Sequence, residues 1–195
     1  MKNIIKLCFL ATIILLPFSC DVESVDANDG IEDLINNRSS ATTVMVHDMY
    51  GDIPGTSSTL WRNNRGITAS FHTKNLIPGN TYTLWWVIFN DPSTPGPPSA
   101  VLFAAGHIAG ESGKSNFSAR LNADFPEFDN PQGAEVHVAL RGHGPAVPSM
   151  LPDQIDSYEG GCTESMGVGG GVLLEDPTEV GYCQDFQAAI HSPVN

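Results

Sequence analysis

The stretch Asn75-Leu-Ile-Pro-Gly-Asn-Thr-Tyr-Thr-Leu-Trp-Trp-Val-Ile-Phe89 limits what this chain can fold into more than any other part of it. A Pro-Gly turn opens it, and Tyr82 to Phe89 then runs without a charge and holds the Trp85-Trp86 pair. That run reads as the central strand of a packed sheet. Successive side chains of a strand point to opposite faces, so the two tryptophans cannot fill the same core. One is expected between two layers, and the other under a loop or on the surface.

The rest of the mature chain is punctuated in the same style. Short runs at Thr42 to His47, Leu60 to Arg62, Gly66 to Thr73, Ala100 to Ile108, Ser115 to Leu121, Ala134 to Arg141 and Phe186 to His191 read as strands. Asn63-Asn64-Arg65 marks a hairpin, because Asn tolerates the left-handed backbone such a turn needs. Asp91 to Pro98, with four prolines, is a surface loop. Asn122 to Gly133 is an acidic loop, and Gly142 to Gly181 is rich in Gly and Pro and mostly loop. Seven or eight strands, no helix of useful length and no repeat predict an all-β antiparallel sandwich.

Within the opening stretch, Leu76-x-Pro78-Gly79-x-x-Tyr82 resembles the tyrosine corner of Ig and fibronectin type III domains and related Greek-key sandwiches. The resemblance spans about a dozen residues. It implies a Greek-key β-sandwich in which the Tyr82 hydroxyl bonds back to the backbone near the turn and pins the crossing between sheets. A fainter similarity to exported bacterial proteins, over 82–90, 101–110, 134–145 and 186–191, brings no activity with it.

The first 19 residues explain the cysteines. Lys2 and Lys6 form a positive region, Leu7 to Leu16 is an apolar core too short to span a bilayer, and Pro17-Phe18-Ser19-Cys20 follows. This resembles a bacterial lipoprotein signal, with Pro17 standing where Leu is usual. The resemblance implies cleavage before Cys20, acylation of Cys20, and a bilayer anchor in the cell envelope, at the outer membrane or cell surface. An ordinary cleaved signal with an incidental cysteine is the plainer alternative. Cys8 leaves with the leader, so Cys162 and Cys183 remain as a pair in an oxidising compartment, where a disulfide is expected. Closing that loop stabilises a fold by roughly 3 kcal/mol in the chain-entropy view.

Residues 20–41 read as an acidic flexible tether, with six carboxylates from Asp21 to Asp33 against Arg38, and residues 42–195 as one β-sandwich domain with long C-terminal loops. The acidic run is similar to surface-export signals of some lipoproteins, and equally suits a solvated spacer. The formal charge is −13; without Lys2 and Lys6 the mature part has 7 basic and 22 acidic residues, or −15. Such a field repels nucleic acid and anionic membrane surfaces.

Few patterns carry chemistry. Gly110-Glu-Ser-Gly-Lys-Ser115 has half of a phosphate-binding loop, but Ile108 occupies the position of its first Gly, and a strand follows instead of a helix. It reads as a hairpin turn. Glu127, Asp129, Glu135, Asp153 and Asp156 offer carboxylates for a hydrolase, which ranks third among the functional readings. His107, His137 and His191 lie on or at the ends of strands, and their convergence would make a Zn²⁺ or Cu²⁺ site. That metal-binding protein is the alternative reading; without it no cofactor is expected. The leading reading is a non-enzymatic binding module for a glycan, peptide or envelope protein. Glu135, His137 and Arg141 share one face of a strand as a polar stripe, and His143 follows in what reads as a loop. An aromatic beside that stripe, such as Trp61 or one of the Trp pair, would give a sugar a ring to stack on.

Overall fold

The computed structural model describes residues 39–156 and 183–194. The expected leader, Cys20, most of the acidic tether and Cys162 lie outside them. Ten strands form: β1 (Ser40–Val44), β2 (His47–Asp48), β3 (Gly51–Asp52), β4 (Ser57–Asn63), β5 (Gly66–Thr73), β6 (Asn80–Phe89), β7 (Ala100–Ile108), β8 (Ser115–Asn122), β9 (Glu135–Pro145) and β10 (Gln184–His191). A single helical turn and a half, α1 (Leu151–Asp156), follows β9.

The strands make two antiparallel sheets, β1-β4-β5-β8 and β3-β2-β10-β9-β6-β7, so the chain is an all-β sandwich. Among the described residues there are ten strands, not seven or eight. The extra strands are β2 and β3, a hairpin with His47 opposite Asp52 and Asp48 opposite Gly51. Two residues per strand leave no alternation to read in the sequence. The turn is set locally: the Tyr50 amide donates to Asp48 Oδ1 at 2.7 Å, and Gly51 takes φ 127°.

Strand β6 lies in the interior of the larger sheet, one strand in from its β7 edge and paired with β9 and β7. Leu84, Trp86 and Ile88 of β6 and Val136, Val138 and Leu140 of β9 face inward and meet Leu60, Ile67, Phe71 and Phe117 of the smaller sheet. Each such side chain contributes about 1.5–3 kcal/mol by leaving water. β9 returns from the smaller sheet's side to pair with β6 instead of following β7, which gives the Greek-key connection.

The Tyr82 hydroxyl bonds back to the backbone of the turn, the contact that the resemblance to a tyrosine corner implied. Ile77 to Asn80 makes a turn with Pro78 second and Gly79 third, Gly79 at φ 81°, and the Asn80 amide donates to Ile77 O. Three residues into the next strand, the buried Tyr82 hydroxyl accepts the Ile77 amide at 2.9 Å. The crossing from β5 in one sheet to β6 in the other is therefore pinned at both ends of a six-residue segment.

Both tryptophans of the pair are buried. Trp86 joins the core, whereas Trp85 lies on the outer face of the larger sheet, edge-on to Phe103 with the Arg141 guanidinium 5.8 Å from its ring. Gly110 to Ser115 is a connection between sheets, not a hairpin turn, because β7 and β8 belong to different sheets.

Candidate functional site

The outer face of the six-stranded sheet divides into a covered half and an open half. α1 packs over β6 and β7. It fits because β7 carries Gly106 at the crossing, where a Cβ would lie 1.6 Å from Ile155 O. Gln154 fixes the helix to the end of β9: its Nε2 donates to Pro145 O at 3.0 Å, and its Oε1 accepts the Val147 amide at 2.8 Å.

Beneath that cover lies a buried polar chain. Trp85 Nε1–H donates to Thr83 Oγ1 at 2.6 Å, and the same hydroxyl is hydrogen-bonded to His143 Nε2, 2.5 Å away. The other ring nitrogen, Nδ1, lies 3.4 Å from Cys183 Sγ. Burial, assisted by the positive Arg141, pushes the His143 pKa down to about 4, so the ring is neutral at physiological pH. His143 was expected on a loop. Instead β9 runs through Gly142-His143-Gly144 to Pro145 and the ring is fully buried, which removes His143 from any solvent-facing site.

The open half begins two residues back along β9. Glu135, His137 and Arg141 share the outer face, half-buried, as their alternation implies. His137 Nε2 meets Glu135 Oε1 at 2.7 Å, and the His137 ring lies 5.0 Å from that of Phe89. Next to His137 the sheet sinks into an open groove of about 380 Å³. Its floor is small because Val87, Ala139 and Ala188 stand on three adjacent strands; His137 and His47 form its sides, with Asp48 and Met49 at the hairpin end. The hairpin tip presents Met49, 81% exposed, and Tyr50, 90% exposed.

Trp61 does not lie beside the stripe. It is on the outer face of the other sheet, 43% exposed, and the aromatic rings beside the stripe are those of Phe89 and Trp85.

The three histidines proposed for a metal do not converge. His191 faces inward, with Nδ1 2.8 Å from Thr42 Oγ1 and Nε2 2.9 Å from Ser58 Oγ, tying β10 to β1 and β4 across the sandwich. His137 is on the outer face of the same sheet, paired with Glu135. His107 is exposed at the β7 edge against Phe117. Among the described residues no group of three or more His, Cys, Asp or Glu side chains is placed to hold a metal ion. Strand parity is the reason: His137 and His191 sit on neighbouring strands with opposite facing, so one ring enters the core while the other leaves it.

Comparison with protein-family models, curated proteins and solved structures gives no match. Of the hydrolase carboxylates, Glu127, Asp129 and Asp156 are exposed, and Glu135 is held by His137. Cys183 is buried at the start of β10, next to His143. The groove combines a shallow apolar floor, imidazole sides and a projecting Met-Tyr tip. That set of groups suits holding a surface segment of another molecule.

Sequence reading missed the hairpin half of this site. Asp48-Met-Tyr-Gly51 does carry a turn signal, Asp at the first position and Gly at the fourth. Asp52-Ile-Pro-Gly55, which follows directly, carries turn residues of its own, so the two signals merge in the sequence.

Proposed function

We propose that this chain is an envelope-anchored lipoprotein whose β-sandwich is a non-enzymatic binding module for a glycan, peptide or envelope protein. The observation that carries the binding role is the open groove of about 380 Å³ at His137, bordered by the exposed Met49-Tyr50 tip. Large exposed apolar residues beside a concave surface mark interaction sites more often than they serve stability. The groove suits an extended polypeptide best: Val87, Ala139 and Ala188 leave room for a chain to lie against the sheet, and Met adapts to irregular side chains. Anchoring rests on Lys2, Lys6, the apolar run and Ser19-Cys20. Stable membrane attachment takes two acyl chains, because one gives marginal binding. The Cys162–Cys183 disulfide belongs to the same reading, supported by the burial of Cys183 and the oxidising compartment that export implies.

The test is a binding screen of the full chain against envelope proteins, peptides and glycans, with Met49→Ala/Tyr50→Ala and Ala139→Arg as comparison variants. Loss of a partner in both variants, with folding unchanged, is the expected result. A partner retained by both places binding elsewhere and overturns the groove assignment. For the anchor, Cys20→Ser is expected to release the protein from the membrane fraction.

A further inference from the structure

The outer face of the four-stranded sheet has a chemistry unlike the rest of the molecule. The chain contains 22 Asp and Glu residues, yet none lies in β1, β4, β5 or β8. Hydroxyl and amide groups occupy the face instead. Thr43, Thr59, Ser70 and Ser118 stand in one row across all four strands, with the Thr43 and Thr59 hydroxyls 2.9 Å apart. His72 and Asn116 follow in the next row, joined at 2.7 Å. The third row is Ala41, Trp61, Thr68 and Arg120. Trp61 is the one exposed tryptophan of the three, since Trp85 and Trp86 are buried.

The Trp61 row runs into a cleft of about 460 Å³ lined by Asn64, Arg65, Arg120, Asn122, Ala123 and Asp124. The cleft is built by close approach of the β4–β5 turn to the end of β8. The Ala123 amide donates to Arg65 O at 3.0 Å, and Gly66, at φ 136°, lets the turn sit where a Cβ would strike Leu121 O at 2.0 Å. Arg120 donates from Nε to Asn122 Oδ1 at 3.0 Å, which sets its guanidinium at the cleft. Neighbouring strands lie ~4.8 Å apart, so Trp61 and Arg120, two strands apart, are separated by about 10 Å at the backbone.

From this juxtaposition we infer that the outer face of the four-stranded sheet binds a glycan bearing a sparse acidic sugar, one ring stacked on Trp61 and the neighbouring carboxylate held by Arg65 and Arg120. Each part answers to a feature of the surface. The CH face of a pyranose packs on an exposed indole, and its hydroxyls find the Thr and Ser rows. Arginine is the side chain best shaped to take a carboxylate, through paired N–H donors. Asp124 offsets one of the two cations, and the chain as a whole carries −13, so a densely charged polyanion is repelled while a single acid next to a neutral ring is accepted. This face is on the far side of the sandwich from the His137 groove, so the two sites stand or fall separately.

The experiment is titration of the full chain with hyaluronan oligosaccharides, in which an acidic sugar alternates with a neutral one, beside neutral dextran oligosaccharides and an array of uronate- and sialate-bearing glycans. Binding of acid-bearing glycans, a change in tryptophan fluorescence, and weakening by salt are expected. Trp61→Ala and Arg65→Gln/Arg120→Gln are each expected to weaken binding about tenfold or more, while Ala139→Arg in the groove leaves it unchanged. Trp61, Arg65 and Arg120 are all solvent-exposed, so folding is retained. Absence of binding across the array, equal binding of dextran, or binding indifferent to Trp61 overturns the assignment.

Discussion

The Tyr82 hydroxyl and the Ile77 amide meet at 2.9 Å across the turn that carries the chain from one sheet to the other. They are five positions apart in sequence, so the bond is set by local geometry, but its effect is global because β6 is the strand both neighbours build on. Removing the oxygen leaves the Ile77 N–H without its acceptor. Tyr82→Phe is expected to cost about 1–3 kcal/mol with the fold intact, measured as a shift in the urea midpoint at constant slope. A change below the error of that measurement would show that water replaces the bond without loss.

Acid should weaken this fold through two buried imidazoles. Burial pushes His143 and His191 down to about 4, from 6.5 for the free side chain; for His191 the Arg62 and His137 charges add to the effect. Between those values the unfolded chain binds protons that the folded chain refuses, so stability is full above about pH 6.5 and falls as pH drops toward 4. Each ring removes up to about 2 kcal/mol between roughly pH 7 and pH 5. Urea midpoints across that range check the sign, and His191→Gln should make the pH dependence about half as steep. A flat profile would mean that these rings titrate normally.

Arg62 is fully buried and donates to four carbonyl oxygens, those of Pro131, Ala134, His191 and Ser192. It thereby joins β4 to the loop before β9 and to the end of β10, and burial lowers its pKa to about 10, still charged at neutral pH. Arg62→Met fills most of the volume but strands the carbonyls, at an expected cost of about 3 kcal/mol or more. Chemical denaturation decides it. A loss under about 1 kcal/mol would show that the carbonyls are satisfied by other donors.

Gly106 is where α1 touches the sheet. Because an added Cβ would meet the Ile155 backbone and not a movable side chain, Gly106→Ala should lift α1 from β7. Limited proteolysis is expected to cut near 151–156 faster in the variant, with the rest of the sandwich protected. Unchanged cleavage would show that the sheet yields instead.

The sequence by itself determined what depends on neighbours a few residues away. Period-two alternation placed Val136, Val138 and Leu140 on one face of β9 and Glu135, His137 and Arg141 on the other, and both faces came out so. Gly66 to Thr73 and Ala100 to Ile108 were legible to the residue, because turn chemistry bounds them on both sides. The Pro78-Gly79 to Tyr82 corner was legible for the same reason. Tertiary structure alone decided which polar residues are buried and which surfaces stay open. His143 looked like a loop residue between two glycines, but Thr83, Gln154 and Cys183, brought from three other segments, make its position an interior one. Arg62 stands between Trp61 and Asn63 just before a turn, where an arginine reads as solvent-facing, and becomes a core residue because a distant loop and the end of β10 supply carbonyls. His107, His137 and His191 share a position type in sequence, yet register and strand parity send them to an edge, an outer face and the core. Side-chain burial is a property of what packs against a residue from elsewhere in the chain, and the local pattern carries no record of that partner.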